Sequence, residues 1–123
     1  MRRSILMAFM LSACSSVEGE WSGECSLALG ANFIEYEITS IELEEGSGDD
    51  LEGSGEVLGP DDKLSRGDVE GSQDGDDLDF LVRFTSGLNG QEMRFSGTAD
   101  GAEMEGECYL GTQSGRFDLS RVQ

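Results

Sequence analysis

From Gly19 onward the chain never carries apolar residues at i, i+3, i+4 and i+7 for long enough to build a helix. It alternates apolar with polar instead, and this period of two is what most restricts its fold. The alternating stretches are 19–29, 32–43, 50–58, 67–73, 77–86, 91–99, 102–110 and 114–122. Eight short strands at roughly 8–12-residue spacing predict an all-β protein, a barrel or a sandwich. Every link between them is brief and rich in turn residues: Gly30-Ala31, Glu45-Gly46-Ser47-Gly48, Gly59-Pro60-Asp61-Asp62, Asp74-Gly75-Asp76, Leu88-Asn89-Gly90, Asp100-Gly101 and Gly111-Thr112. Asn-Gly and Asp-Gly are the dipeptides of tight hairpins. Links this short join antiparallel neighbours, so the expected architecture is a small antiparallel up-and-down meander barrel of about eight strands.

A weak internal repeat sharpens this picture. Trp21-Ser22-Gly23, Leu51-Glu52-Gly53, Val69-Glu70-Gly71, Phe95-Ser96-Gly97 and Met104-Glu105-Gly106 all read apolar-x-Gly. On a strand the apolar residue and the glycine share one face. If that face points inward, the glycines mark where the sheet coils sharply. The expected inward set is Trp21, Cys25, Leu27, Ile34, Tyr36, Ile38, Leu51, Val57, Val69, Leu78, Phe80, Val82, Phe84, Met93, Phe95, Met104, Cys108, Leu110, Phe117 and Leu119. Their outward neighbours are mostly acids, read as a solvated face. The alternation slips between Ile38 and Ile41, which predicts a β-bulge.

Ahead of the strands lies a different kind of sequence. Arg2 and Arg3 precede the apolar run Ile5–Leu11, and small residues follow. That order is the pattern of an export signal. The run is too short to cross a hydrocarbon core, which takes ~20 helical residues. Its ending, Leu11-Ser12-Ala13-Cys14, resembles the lipobox of bacterial lipoproteins. The resemblance implies cleavage before Cys14, a diacylglycerol on its sulfur and an acylated amino terminus. It divides the chain into a signal peptide, 1–13, an acylated tether, 14–18, and a barrel domain, 19–123. Ser15 after Cys14 is similar to the outer-membrane sorting signals of many Gram-negative lipoproteins. The expected location is therefore the cell envelope, lipid-anchored at the outer membrane and facing the periplasm or the exterior.

With Cys14 assigned to lipid, Cys25 and Cys108 remain as an even pair in an oxidising compartment. Both follow an inward glycine by two residues, and a disulfide between them is expected. Metal binding by two thiolates without histidine is the weaker reading. The pairing carries a geometric tension. In an eight-stranded barrel the first and seventh strands are separated by the eighth, about 9–10 Å axis to axis. A disulfide needs Cα atoms within about 7 Å. Either the bond crosses the interior of a flattened barrel, or one strand near the C-terminus is miscounted.

Gly19-Glu20-Trp21 opens the first strand and Arg121 lies in the last. This pair resembles the signature of the calycins (lipocalins, fatty-acid-binding proteins, avidins). There an early G-x-W tryptophan packs beneath a basic residue of the final strand and closes the barrel bottom. The resemblance implies a cation–π contact between Trp21 and Arg121, worth ~0.5–2 kcal/mol. The aromatic biotin-site residues of avidins have no counterpart here, and the mature chain is shorter than a typical lipocalin.

Charge narrows the function. The chain carries 8 basic and 26 acidic residues, a net charge of −18. Losing Arg2 and Arg3 with the signal takes that to −20. Nucleic acid would repel such a domain, and no polybasic patch would help a lipid anchor hold it at a membrane. Triple acylation, implied by the lipoprotein resemblance, would suffice where one chain would not. With no histidine in the chain, imidazole catalysis, His-metal sites and an imidazole pH switch are excluded. The acidic turns at 48–50, 61–62 and 74–79 lack the ligand spacing of an EF-hand, so solvated turns are expected and not calcium sites. We expect a non-catalytic monomer with no cofactor and no metal. It would act as an interaction or structural module with an envelope protein partner, or as a carrier of a small apolar ligand inside the barrel.

Overall fold

The computed structural model describes residues 16–88 and 90–122. Its strands are β1 (Gly19–Leu29), β2 (Asn32–Glu45), β3 (Asp50–Leu58), β4 (Leu64–Asp74), β5 (Asp77–Ser86), β6 (Glu92–Asp100), β7 (Glu103–Leu110) and β8 (Gln113–Arg121). Each pairs antiparallel with the next, and β8 returns to β1, so the sheet is a closed up-and-down barrel. Closure removes both sheet edges, which in an open sheet would invite other strands.

β4 starts at Leu64, three residues before the stretch read from the alternation. The reason is Ser65, which sits at an inward position and is buried. Its Oγ accepts the Leu88 N–H at 2.9 Å. A serine facing inward looks like a turn residue in the sequence. Four hairpins close through two residues led by a glycine in the left-handed region: Gly30, Gly75, Gly101 and Gly111, with φ of 62, 63, 65 and 63°. That is the position at which a II′ hairpin demands glycine. Asp100 pairs with Glu103, so the sixth loop is Gly101-Ala102 and Asp100 belongs to the strand. Asn89, read as part of a tight turn, lies outside the described residues.

The bulge falls where the alternation slips. The β2–β3 register shifts between Ile38 and Ser40. The β1–β2 register shifts at the same place, where Ser22 of β1 stands against both Thr39 and Ser40, so the extra residue belongs to β2. Beyond the bulge the phase of β2 is reversed, and Ile41 and Leu43 enter the core. The expected inward set stops at Ile38, ahead of the predicted bulge, and so leaves them out. Ile34 and Tyr36, at the other end of β2, are only half-buried. The remainder of the expected inward set is buried.

Inside, Phe80 stacks on Phe95 with centroids 4.9 Å apart, and Phe95 meets Phe117 edge-on at 5.1 Å. Trp21, Phe84, Leu27, Met93 and Met104 fill the space around them. Burying each such side chain stabilises by ~1.5–3 kcal/mol, so the large residues dominate the core. The repeated glycines let the sheet curl around them. A methyl group at Gly23 would collide with the Asp118 carbonyl, and one at Gly97 with the Glu105 carbonyl on the next strand. Gly97 and Gly106 face each other across β6 and β7.

The Cys25–Cys108 disulfide forms, with Cα atoms 6.3 Å apart. It steps across β8 on the inner face. Cys25 pairs with Phe117 and Cys108 with Gly115. Gly115 has no side chain to stand in the way, and a methyl there would strike the Ser26 carbonyl of β1. The strand count is therefore right, and the barrel is pinched at β8 so that β1 and β7 approach each other.

The hairpin topology gives the barrel two distinct ends. One carries the β1–β2, β3–β4, β5–β6 and β7–β8 turns. The other carries the remaining three turns, the start of β1 and the end of β8.

Candidate functional site

The end at which the chain enters and leaves is sealed by the residues just before β1, the start of β1 and the end of β8. Trp21 is paired with Arg121 on one side and Ile41 on the other. Its indole is 0% exposed. The Arg121 guanidinium lies over the ring, 4.5 Å from its centroid. A cation held against an aromatic face in a partly dry site contributes up to ~2 kcal/mol.

Both residues also grip the segment that precedes the barrel. The Trp21 Nε1–H donates to the Val17 carbonyl at 2.9 Å. Arg121 donates from Nη2 to the Ser16 carbonyl at 3.0 Å and from Nη1 to the Glu18 carbonyl. Val17 is 2% exposed and belongs to the core cluster. Ser16–Glu18, read from sequence as part of a tether, is thus packed as the floor of the barrel. Glu18 extends the seal to the neighbouring β2, its carboxylate accepting the Glu45 N–H at 3.0 Å. At the far side the Val122 N–H donates to the Glu20 carbonyl at 2.8 Å.

The glycine of Gly19-Glu20-Trp21 has a local reason. Gly19 has φ of 129°, and a methyl there would lie 2.8 Å from Arg121 Nη1. A side chain would push the guanidinium off the indole. The alternation pattern misses Val17 because it precedes the first strand. The one signal for it is its spacing, four residues before the buried tryptophan.

No protein-family model matches this chain, and no curated protein matches it.

The other sequence-singled residues fall elsewhere. Leu11, Ser12, Ala13 and Cys14 lie outside the described residues. Cys25 and Cys108 are joined to each other and are not free to bind metal. Among the described residues no group of three or more His, Cys, Asp or Glu side chains converges as a metal site. An open groove runs along the outside of β1 and β2 towards the β3–β4 turn, with Tyr36, Leu58 and Pro60 among its lining and Glu24, Glu35, Glu37 and Asp62 around them. Burial, and secondarily the charge of Asp61, pushes the Tyr36 phenol up from its usual value. That groove is carboxylate-rich and outside the barrel, unlike an apolar carrier pocket.

Outward positions along the strands carry Glu24, Glu37, Glu52, Glu70, Glu105 and Asp118, among others. A membrane-spanning barrel presents an apolar band at those positions. This one presents carboxylates.

Proposed function

We propose that the protein is a cell-envelope lipoprotein, anchored by acyl chains on Cys14, whose barrel acts as a non-catalytic interaction or structural module through its outer surface. The observation that carries the reading is the occupied interior. Phe80, Phe95 and Phe117 pack on one another inside the barrel, where a carrier of this size would hold its cargo, with Phe84 buried as well and Trp21 buried at the sealed end. With the inside occupied by the chain's own side chains, recognition falls to the acidic exterior. The export pattern and Leu11-Ser12-Ala13-Cys14 support the anchor.

Kinship with the calycins is part of the same proposal, supported by the closed eight-stranded meander and by Arg121 over Trp21. A carrier function in the calycin manner would require the central rings to move aside.

The test is Cys14→Ser. Membrane fractionation should find the variant in the soluble fraction, and intact mass of the wild-type protein should show a cleaved, acylated Cys14. Unchanged membrane association of the variant would end the anchor reading. An apolar molecule retained through purification and seen by native mass spectrometry would restore the carrier.

A further inference from the structure

We infer that Arg121 and Trp21 set how the barrel stands on the bilayer: by clamping Ser16–Glu18 they hold the sealed end against the headgroups and point the β1–β2 hairpin away. The inference rests on the reading of Cys14 as the lipid-bearing residue. Cys14 precedes Ser16 by two residues, a reach of at most ~7 Å. Ser16 and Glu18 are bonded through their carbonyls to Arg121, and Val17 is bonded to Trp21 and buried. Freed from those bonds, the five residues from Cys14 to Gly19 would reach ~17 Å. The screening length at physiological salt is ~8 Å. The clamp therefore decides whether the turns at 45–50, 74–77 and 100–103 lie inside or outside the layer in which they feel the charge of the membrane surface.

Those turns hold three, three and two carboxylates and no base. A clamped barrel stands close to an uncharged zwitterionic surface and is lifted or tilted by an anionic one. A barrel on a loose tether responds to neither. Position relative to the lipid is thus a property of Arg121, a positioning residue, as well as of the acyl chains.

The protein carries its own reporter, since Trp21 is the single tryptophan and sits at the sealed end. Acylated full-length protein is placed in phosphatidylcholine vesicles bearing a dansyl headgroup, and energy transfer from Trp21 is read. Three samples are compared: wild type, Arg121→Gln, and a Gly-Ser insertion of ~6 residues between Ser15 and Ser16. The insertion leaves every contact of the barrel in place, so its melting temperature should match wild type. Its transfer should fall by roughly half as the added residues extend the reach by up to ~20 Å. Arg121→Gln, verified as folded by circular dichroism, should fall in the same direction. Replacing part of the phosphatidylcholine by phosphatidylglycerol should lower transfer in wild type, and ~0.5 M salt should restore it. Vesicle flotation separates the two ways to fail. A wild-type protein that does not float overturns the anchor and the inference together. A protein that floats but transfers equally with and without the insertion, or equally in wild type and folded Arg121→Gln, overturns the inference alone.

Discussion

The two ends of the barrel are built from the same hairpins and have opposite surfaces. At the sealed end the turns 45–50, 74–77 and 100–103 are carboxylates and glycine almost throughout. At the hairpin end the turns around 30, 60, 88 and 111 hold only Asp61 and Asp62, with Lys63 beside them. There Phe33 is 71% exposed and Leu29 49% exposed. The means of closure differ as well. Arg121, Trp21 and Val17 seal one end through an ion over a ring and hydrogen bonds to three consecutive carbonyls. The Cys25–Cys108 bond pins the strands nearer the other end. A barrel of this size buries modest apolar area, so each half depends on its own staple. The covalent staple constrains the half whose turns are close to neutral. The polar staple holds the half in which like charges crowd.

The most severe way to break this comparison is to remove the covalent staple. The bond closes 83 residues, for which the chain-entropy account gives ~4–5 kcal/mol. That is a large part of the ~5–15 kcal/mol that holds a typical domain folded. Cys25→Ser with Cys108→Ser should therefore lower the denaturation midpoint steeply. In hydrogen exchange the upper parts of β1, β7 and β8 should lose protection first, while Trp21 and its neighbours keep theirs longest. Uniform loss of protection would mean that the two halves are a single cooperative unit.

The reciprocal experiment opens the sealed end. Trp21→Ala removes the largest side chain from a fully buried position and should cost ~3–5 kcal/mol. Arg121→Gln removes charged hydrogen bonds and the ring contact but leaves the core volume intact, and should cost ~1–3 kcal/mol. In Arg121→Gln, exchange should rise first at residues 16–20 and 121–122, with the disulfide half unaffected. Chemical denaturation of the two variants gives the magnitudes.

How much of this was legible in the sequence follows from the same contrast. Strand existence, order and pairing were written in the alternation and in the glycine-led turns, both of which act locally. The Trp21–Arg121 contact was reached by resemblance, and the disulfide by counting cysteines. Three things escaped. Ile41 and Leu43 lie beyond a bulge that reverses the phase of β2. Ser65 is inward and polar, satisfied by a backbone N–H 23 residues away. Val17 precedes the first strand and is held there by Trp21 on its own carbonyl and by the distant Arg121 on those of its neighbours. The glycine spacing foretold coiling but not its depth, which is what lets Cys25 and Cys108 meet across β8. Contacts that depend on three-dimensional curvature leave no periodic trace.

Charge offers a milder way to sharpen the comparison. Cross-strand register places Glu105, Asp118, Glu24 and Glu37 side by side on four successive strands. Glu20 faces Glu42, and Glu44 faces Glu52. Like charges directly opposite destabilise by ~0.2–1 kcal/mol per pair. Among the described residues, Glu24, Glu37 and Asp118 have no ion pair to offset this; Arg116 reaches only Glu105 at the end of the row, at 3.8 Å, and Arg66 and Arg83 neutralise carboxylates elsewhere on the barrel. Raising sodium chloride from about 0.1 to 1 M shortens the screening length from ~10 to ~3 Å and should raise the melting temperature by several degrees. Glu24→Gln should reduce that gain by relieving two contacts at once. A melting temperature indifferent to salt would show that the side chains splay apart enough to avoid one another.

The smallest effect belongs to the half where charges are paired. Glu56, on β3 towards the hairpin end, accepts from Arg66 Nε at 2.7 Å and from the Thr39 hydroxyl at 3.1 Å. The bond to Arg66 first, and that to Thr39 second, hold its carboxyl below the usual glutamate value of 4.5. A carboxyl depressed in the folded state favours folding above its unfolded value, and the benefit fades as pH falls through the folded one. The contribution should therefore be complete at neutral pH, decline below about 4.5, and be gone once the folded carboxyl is protonated. Glu56 is on the surface, so the change is a small part of the acid limb of the stability curve. A carboxyl-carbon NMR titration should show Glu56 titrating later on acidification than an exposed glutamate, and Arg66→Gln should move it back towards 4.5. Equal titration in both proteins would mean that the Arg66 contact is not held in solution, and would leave the hairpin end's electrostatic advantage to its nearly neutral turns and to Arg83.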